Sequence, residues 1–112
     1  MRKHYRPRRA SKQWLDGDCP KGVLMIFDHE DFFDRYIIIC REPVTGSTLG
    51  DMCIQYLSFN DLTHPQGSGQ RGEMTAVRLL WYRAKYRRKQ TRWSDLPENV
   101  KQLVRQDLER HV

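Results

Sequence analysis

Between residues 22 and 59 short apolar runs alternate with polar, turn-forming stretches. Residues 22–27, GVLMIF, are unbroken apolar and read as a strand buried on both faces, with a buried helical turn the alternative that length alone leaves open. Asp16, Gly17, Asp18 and Pro20 before them mark a turn, with Trp14 and Leu15 beginning the ordered part. Residues 28–34, DHEDFFD, read as an acidic connector. Asp28 there is placed to cap a helical turn that tucks Phe32 and Phe33 inward. Residues 36–41 are β-branched at their centre and predict the central strand. A loop over 43–51, with one proline and two glycines, separates them from MCIQYLSF at 52–59, which is apolar on both faces. A hairpin of 36–41 with 52–59, flanked by 22–27, gives a small three-stranded, mainly antiparallel sheet.

The period then lengthens. After a polar, glycine-containing loop over 60–72, a helix is predicted from residue 73 to about 89. Val77, Leu80, Trp81 and Ala84 recur at i, i+3, i+4 and i+7, the spacing of a core-facing stripe. Arg78, Tyr82, Lys85, Lys89 and Arg92 line another face. Residues 91–93 read as extended. Ser94 or Asp95 is then placed to cap a last helix, with Pro97 in its first turn and Glu98 near its positive end. Leu96, Val100, Leu103, Val104 and Leu108 form its apolar face, and the Lys101 side faces water. The fold class is α+β: a three-stranded sheet covered by a C-terminal amphipathic helix, beside a basic helical segment. At 112 residues this is one domain, 13–112, preceded by a basic arm, 1–12, too poor in apolar residues to fold by itself.

Charge changes this picture, because the net +6 is segregated. Residues 1–12 carry six cations and no acid, 13–73 sum to −6, and 93–112 to −1. Residues 74–92 hold seven cations (Arg78, Arg83, Lys85, Arg87, Arg88, Lys89 and Arg92) and no acid, with Trp81, Tyr82 and Tyr86 among them. Either the basic blocks are solvated or pair with the acidic middle inside the fold, or they present an uncompensated positive surface to an anionic partner. The nucleic-acid or partner-binding candidates are accordingly Arg78, Tyr82, Arg83, Lys85, Tyr86, Arg87, Arg88, Lys89 and Arg92, with Tyr82 or Tyr86 available to stack on unpaired bases and Trp81 assigned to the core.

The run from His64 to Glu73, HPQGSGQRGE, is the most unusual local sequence. Its glycines permit positive φ and could turn N–H groups toward an anion, with His64, Gln70 and Arg71 as the candidate side chains. The spacing is not that of a P-loop, and Glu73 would repel phosphate, so a self-bonded structural loop is the competing reading. His29, Glu30, Asp31, His64 and Cys53 have none of the recurrent metal-ligand spacings, so no metal or cofactor is expected. A Cys53–His64 pair can be drawn, but no nucleophile elbow or paired-carboxylate frame accompanies it, and no catalytic residue is assigned. Cys19, Cys40 and Cys53 form no close pair, and no apolar stretch follows the basic N-terminus, which together predict a reducing, cytoplasmic setting. The apolar runs are too short to span a bilayer.

Asp34-Arg35-Tyr36, the run His64-Pro-Gln-Gly-Ser-Gly-Gln70 with Gly72-Glu73, Asp95-Leu96-Pro97 and Asp107-Leu108 together resemble a family of small uncharacterised bacterial proteins carried on phages, plasmids and integrative elements. The resemblance spans about residues 34–110. This chain departs from it at Arg71, where the family tends to have His, and in its longer cationic run before Asp95. It implies no activity, only a mobile-element setting. In that setting the expected function is non-catalytic binding of DNA or RNA, or of a host nucleic-acid-processing complex, through the basic stripe. The alternative is an inhibitor of anti-CRISPR type that binds a host defence nuclease directly. Peripheral membrane binding ranks below both, because the narrow apolar face of the basic helix is assigned to the core.

Overall fold

The structure, a computed structural model, describes residues 8–30, 34–41, 53–59 and 69–110. Its strands run in chain order across one antiparallel sheet: β1 (Val23–Asp28), β2 (Tyr36–Cys40), β3 (Cys53–Phe59) and β4 (Gly69–Thr75). Helix α1 (Ala76–Lys85) follows β4 directly. Two 3₁₀ turns, Arg87–Lys89 and Trp93–Asp95, lead to helix α2 (Glu98–Arg110). The α+β class and the antiparallel hairpins agree with the sequence pattern, but the sheet has four strands rather than three.

The extra strand comes from residues expected to be loop and helix start. GQRGEMT pairs with β3 in unbroken register, from Cys53 opposite Thr75 to Phe59 opposite Gly69. Nothing in its side chains alternates apolar and polar; the hydrogen-bonding edge of β3 recruits it. Gly72 is required by packing, because a Cβ there would overlap the ring of Tyr56 on the neighbouring strand. Helix α1 therefore begins at Ala76, not at residue 73. Thr75 ends the strand and caps the helix, its hydroxyl accepting the Arg78 N–H at 3.1 Å.

Every residue of β2 is buried, so the sheet needs cover on both faces. On one face Val23, Ile26, Tyr36, Ile38, Cys40, Leu57 and Phe59 pack with Leu96, Val100 and Val104 of the α2 region. On the other, Leu24, Met25, Phe27, Ile37, Ile39, Ile54 and Met74 pack with Ala76 and Leu79 of α1. A register shift between Val23 and Met25 lets Val23 and Ile26, three positions apart, share a face.

Trp93 ties the first layer together. Its side chain has no exposed surface, and its indole N–H donates to Asp18 Oδ1 at 2.8 Å. Arg105 stacks over the ring with 5.5 Å to the centroid and pairs with Asp18 and Glu98. The Trp93 backbone N–H donates to the Trp14 carbonyl at 2.8 Å. Ser94 does not cap α2. It is held by Asp16, which accepts from its N–H at 2.9 Å and from its hydroxyl at 2.6 Å. The Pro97 carbonyl instead accepts the Lys101 N–H at 3.1 Å and opens the helix. Lys101, assigned to water, lies with its side chain largely covered and its amine 5.9 Å from the Trp93 ring centroid. The apolar face of α2 is as expected, with Val100 and Val104 fully buried and Leu103 and Leu108 half-buried against them.

Of the arm expected over 1–12, residues 8–12 are described, and Arg9 and Ala10 are hydrogen-bonded to the β1 region. The Ala10 N–H donates to the Leu24 carbonyl at 2.7 Å, and the Arg9 guanidinium donates to the carbonyls of Val23 and Pro20. Residues 1–7, the loop over 43–51, and Phe32 and Phe33 lie outside the described residues. The outer edge of β1 is also closed from the far end of the chain, by a bridge between Phe27 and Gln90 and by the Thr91 N–H on the Ile26 carbonyl.

Trp93→Ala is expected to lower the unfolding free energy by about 3–5 kcal/mol, whereas Val77→Ala should change it by no more than about 0.5 kcal/mol. Urea denaturation of the two variants checks both values; a core position for Val77 would reverse the second.

Candidate nucleic-acid interface

Helix α1 sits on the sheet in a rotation opposite to the one the sequence suggests. Ala76 and Leu79 face the sheet, with Tyr82 and Tyr86 half-buried behind them. The apolar stripe assigned to the core faces solvent, with Val77 73%, Leu80 47% and Trp81 60% exposed. Two stripes of nearly equal apolar content run along this helix, and the one with the two tyrosines is buried.

The tyrosines are buried because a polar partner waits beneath them. His29, at the end of β1, is only 3% exposed, and its Nε2 is hydrogen-bonded to the Tyr82 hydroxyl. The Tyr86 ring stands edge-on to the imidazole at a centroid distance of 4.6 Å, and Phe27 meets Tyr82 edge-to-face at 5.1 Å. Burial, assisted by the nearby Lys89 charge, holds His29 below its ordinary pKa. Burial also raises the Tyr82 phenol above its ordinary value. Both groups are therefore neutral, and a neutral imidazole can accept the phenol proton. Tyr82 and Tyr86 are thus structural in this arrangement, and Trp81 is the aromatic left on the outer surface of α1.

The cations divide in the opposite way. Arg78, Arg83, Lys85, Arg87, Arg88 and Lys89 are all exposed, and none forms an ion pair among the described residues. Lys85 lies over the Trp81 ring, its amine 4.9 Å from the centroid. Arg92 is set apart by its pair with Asp95 at 3.3 Å. The stripe Arg78–Lys85–Lys89–Arg92 is not continuous, because α1 ends at Lys85 and a 3₁₀ turn carries residues 87–89. The Tyr86 N–H closes the helix on the Tyr82 carbonyl.

Four of the described acids are engaged by other arginines. Asp28 pairs with Arg35 at 2.8 Å, Asp107 with Arg71, and Asp18 and Glu98 with Arg105. Among the described residues no ion pair joins the acidic middle to Arg78, Arg83, Lys85, Arg87, Arg88 or Lys89.

The glycine-rich candidate site is only partly described. His64 lies outside the described residues. Gln70 is exposed on β4. Arg71, also on β4, donates to Gln55 Oε1 and pairs with Asp107 of α2, so its charge staples the sheet to a helix rather than waiting for an anion. Gln70 and Arg71 border a cavity of about 310 Å³ that Arg78 also lines, but Asp34 and Glu73 line it too and oppose phosphate. No cluster of three or more potential metal ligands occurs among the described residues. Burial pushes the Cys40 thiol up to about 12 and the Cys19 thiol to about 11, so neither is a thiolate near neutrality. Among the described residues no helix is long and apolar enough to cross a membrane. Comparison with protein-family models, with curated proteins and with solved structures gave no match.

Sequence reasoning missed the outward Trp81 and the inward His29. The histidine directly after an apolar strand and the pair Tyr82 and Tyr86, four residues apart on one helix face, were the signals that could have linked them.

The depressed pKa of His29 has a defined sign. The folded state binds its proton less readily than the unfolded state, whose value is near 6.5. Stability is therefore fully present above about pH 6.5 and falls as pH drops through that value. The melting temperature should decrease between pH 7 and 5, and His29→Gln should flatten this dependence in the same scan.

Proposed function

We propose that this protein binds nucleic acid without catalysis, through the exposed basic surface of α1 and the 3₁₀ turn after it. One observation carries the reading: six cations gathered within residues 78–89 have no acidic partner among the described residues, while Asp18, Asp28, Glu98 and Asp107 pair with other arginines. Such a surface meets a phosphate backbone by counterion release, with Arg and Lys contributing charge and orientation rather than reaction chemistry. The basic N-terminal residues add to the same positive field. The setting implied by the HPQGSGQ motif and the Asp-Leu-Pro helix start is a mobile genetic element in a bacterial cytoplasm, where the nucleic acid is the element's own or is held in a host complex.

A second reading rests on a different observation. Val77, Leu80 and Trp81 form an exposed apolar strip amid the cations, of the kind that docks on a protein. This favours direct inhibition of a host nucleic-acid-processing enzyme, in the manner of an anti-CRISPR protein. Pull-down from host lysate with and without nuclease separates the two: partners lost on nuclease treatment support nucleic-acid binding, and a retained protein supports the inhibitor.

Replacing both Lys85 and Arg88 by Ala should weaken binding to any sequence and reduce the log–log salt slope by about 1.4–1.8, two counterion equivalents. The melting temperature should not change, since both side chains are exposed. Titrations between about 50 and 200 mM salt measure the slope. An unchanged slope, or no binding by the wild type at the lower salt, would remove this interface.

A further inference from the structure

Beside the cations, α1 and the N-terminal segment enclose an open groove of about 530 Å³, lined by Trp14, Leu80, Arg83, Ala84, Arg87 and Gln90. One wall is fixed. The Trp14 backbone N–H donates to the Ser11 carbonyl at 2.9 Å and the Trp14 carbonyl accepts the Trp93 backbone N–H, and Gln90 is held by its bridge to Phe27. The other wall is the outward side of α1, with Leu80 and Ala84 one turn apart. Arg83 and Arg87 contribute two cations that meet no carboxylate among the described residues.

We infer that this groove accepts an unpaired base of single-stranded nucleic acid, an inference that rests on the nucleic-acid reading above. An indole, a leucine and an alanine offer the flat, apolar contact that a base face needs. Two guanidiniums beside that contact suit the phosphate joined to the base. The Gln90 amide, half-buried, carries both a donor and an acceptor for a base edge. The volume lies in the range of sites that take a small molecule. A duplex cannot use the groove, because its base faces are stacked inside. The basic surface therefore supplies general affinity and the groove supplies the preference for single strands. This assigns the aromatic contact to Trp14, not to Tyr82 or Tyr86, whose rings are packed on His29.

Ala84→Trp tests the groove, since it fills the space at an exposed helical position and leaves every cation in place. Leu80→Asn, which removes the apolar wall, is the second variant. Affinity for a single-stranded oligothymidylate and for a mixed-sequence duplex of equal length is measured at about 50 mM salt, with melting temperatures to confirm folding. Each variant should weaken single-strand binding by about fivefold or more, the lower end of stacking one base, and change duplex binding less than twofold. If single-strand affinity is unchanged in both variants, or falls equally with duplex affinity, the groove is not a base site although nucleic-acid binding stands. If Trp81→Ala abolishes the single-strand preference while Ala84→Trp keeps it, the platform is Trp81 and the groove is overturned. Binding of neither nucleic acid by the wild type removes the underlying reading as well.

Discussion

The sheet is apolar on both faces, and the rest of the molecule follows from that constraint. Consecutive side chains of a strand point to opposite sides, so the uninterrupted run Tyr36–Cys40 cannot be hidden by one layer. Burying each isoleucine contributes about 1.5–3 kcal/mol. Two covers are therefore needed, and the chain supplies them from its C-terminal part. One is α2 with Trp93, on the face of Ile38 and Leu57; the other is α1, on the face of Ile37, Ile39 and Ile54.

The second cover sets which residues remain outside. α1 follows β4 with no linker, and its first turn is fixed by the Thr75 cap. Ala76 and Leu79 are the residues that reach Met74 and the β2 isoleucines from that corner. One helical turn further, the same face brings Tyr82 and Tyr86 over Phe27 and His29. In this rotation the Tyr82 hydroxyl is hydrogen-bonded to the buried imidazole, and losing such a partner would cost about 1–3 kcal/mol. The apolar stripe Val77–Leu80–Trp81 and the cations between its members then face outward together.

Charge follows the same division. Arg35, Arg71 and Arg105 fasten one element to another through Asp28, Asp107, Asp18 and Glu98. The Arg71 bridge, partly shielded from water on both sides, joins β4 to α2 across the layer. Among the described residues the six cations of residues 78–89 do no such fastening. Arg83 and Lys85 lie in the last turn of α1, where the helix dipole favours cations, and a run that meets no acid among the described residues is consistent with an external anionic partner.

The α+β class, the pairing of β1, β2 and β3, and the buried face of α2 were all legible in the sequence. Each rests on local repetition: continuous apolar runs for strands buried on two sides, and Leu96, Val100, Val104 at helical spacing. The segregation of charge was legible too, because it needs only counting. β4 was not legible, since Gly69–Thr75 has no strand pattern of its own and acquires one from the free edge of β3 and the Tyr56 ring lying on Gly72. Nor was the rotation of α1, because Ala76–Leu79–Tyr82–Tyr86 and Val77–Leu80–Trp81–Ala84 are both spaced as a helix face. Periodicity states that a helix has an apolar side but cannot choose between two; that choice was made by His29 and Phe27, some fifty residues away in the chain.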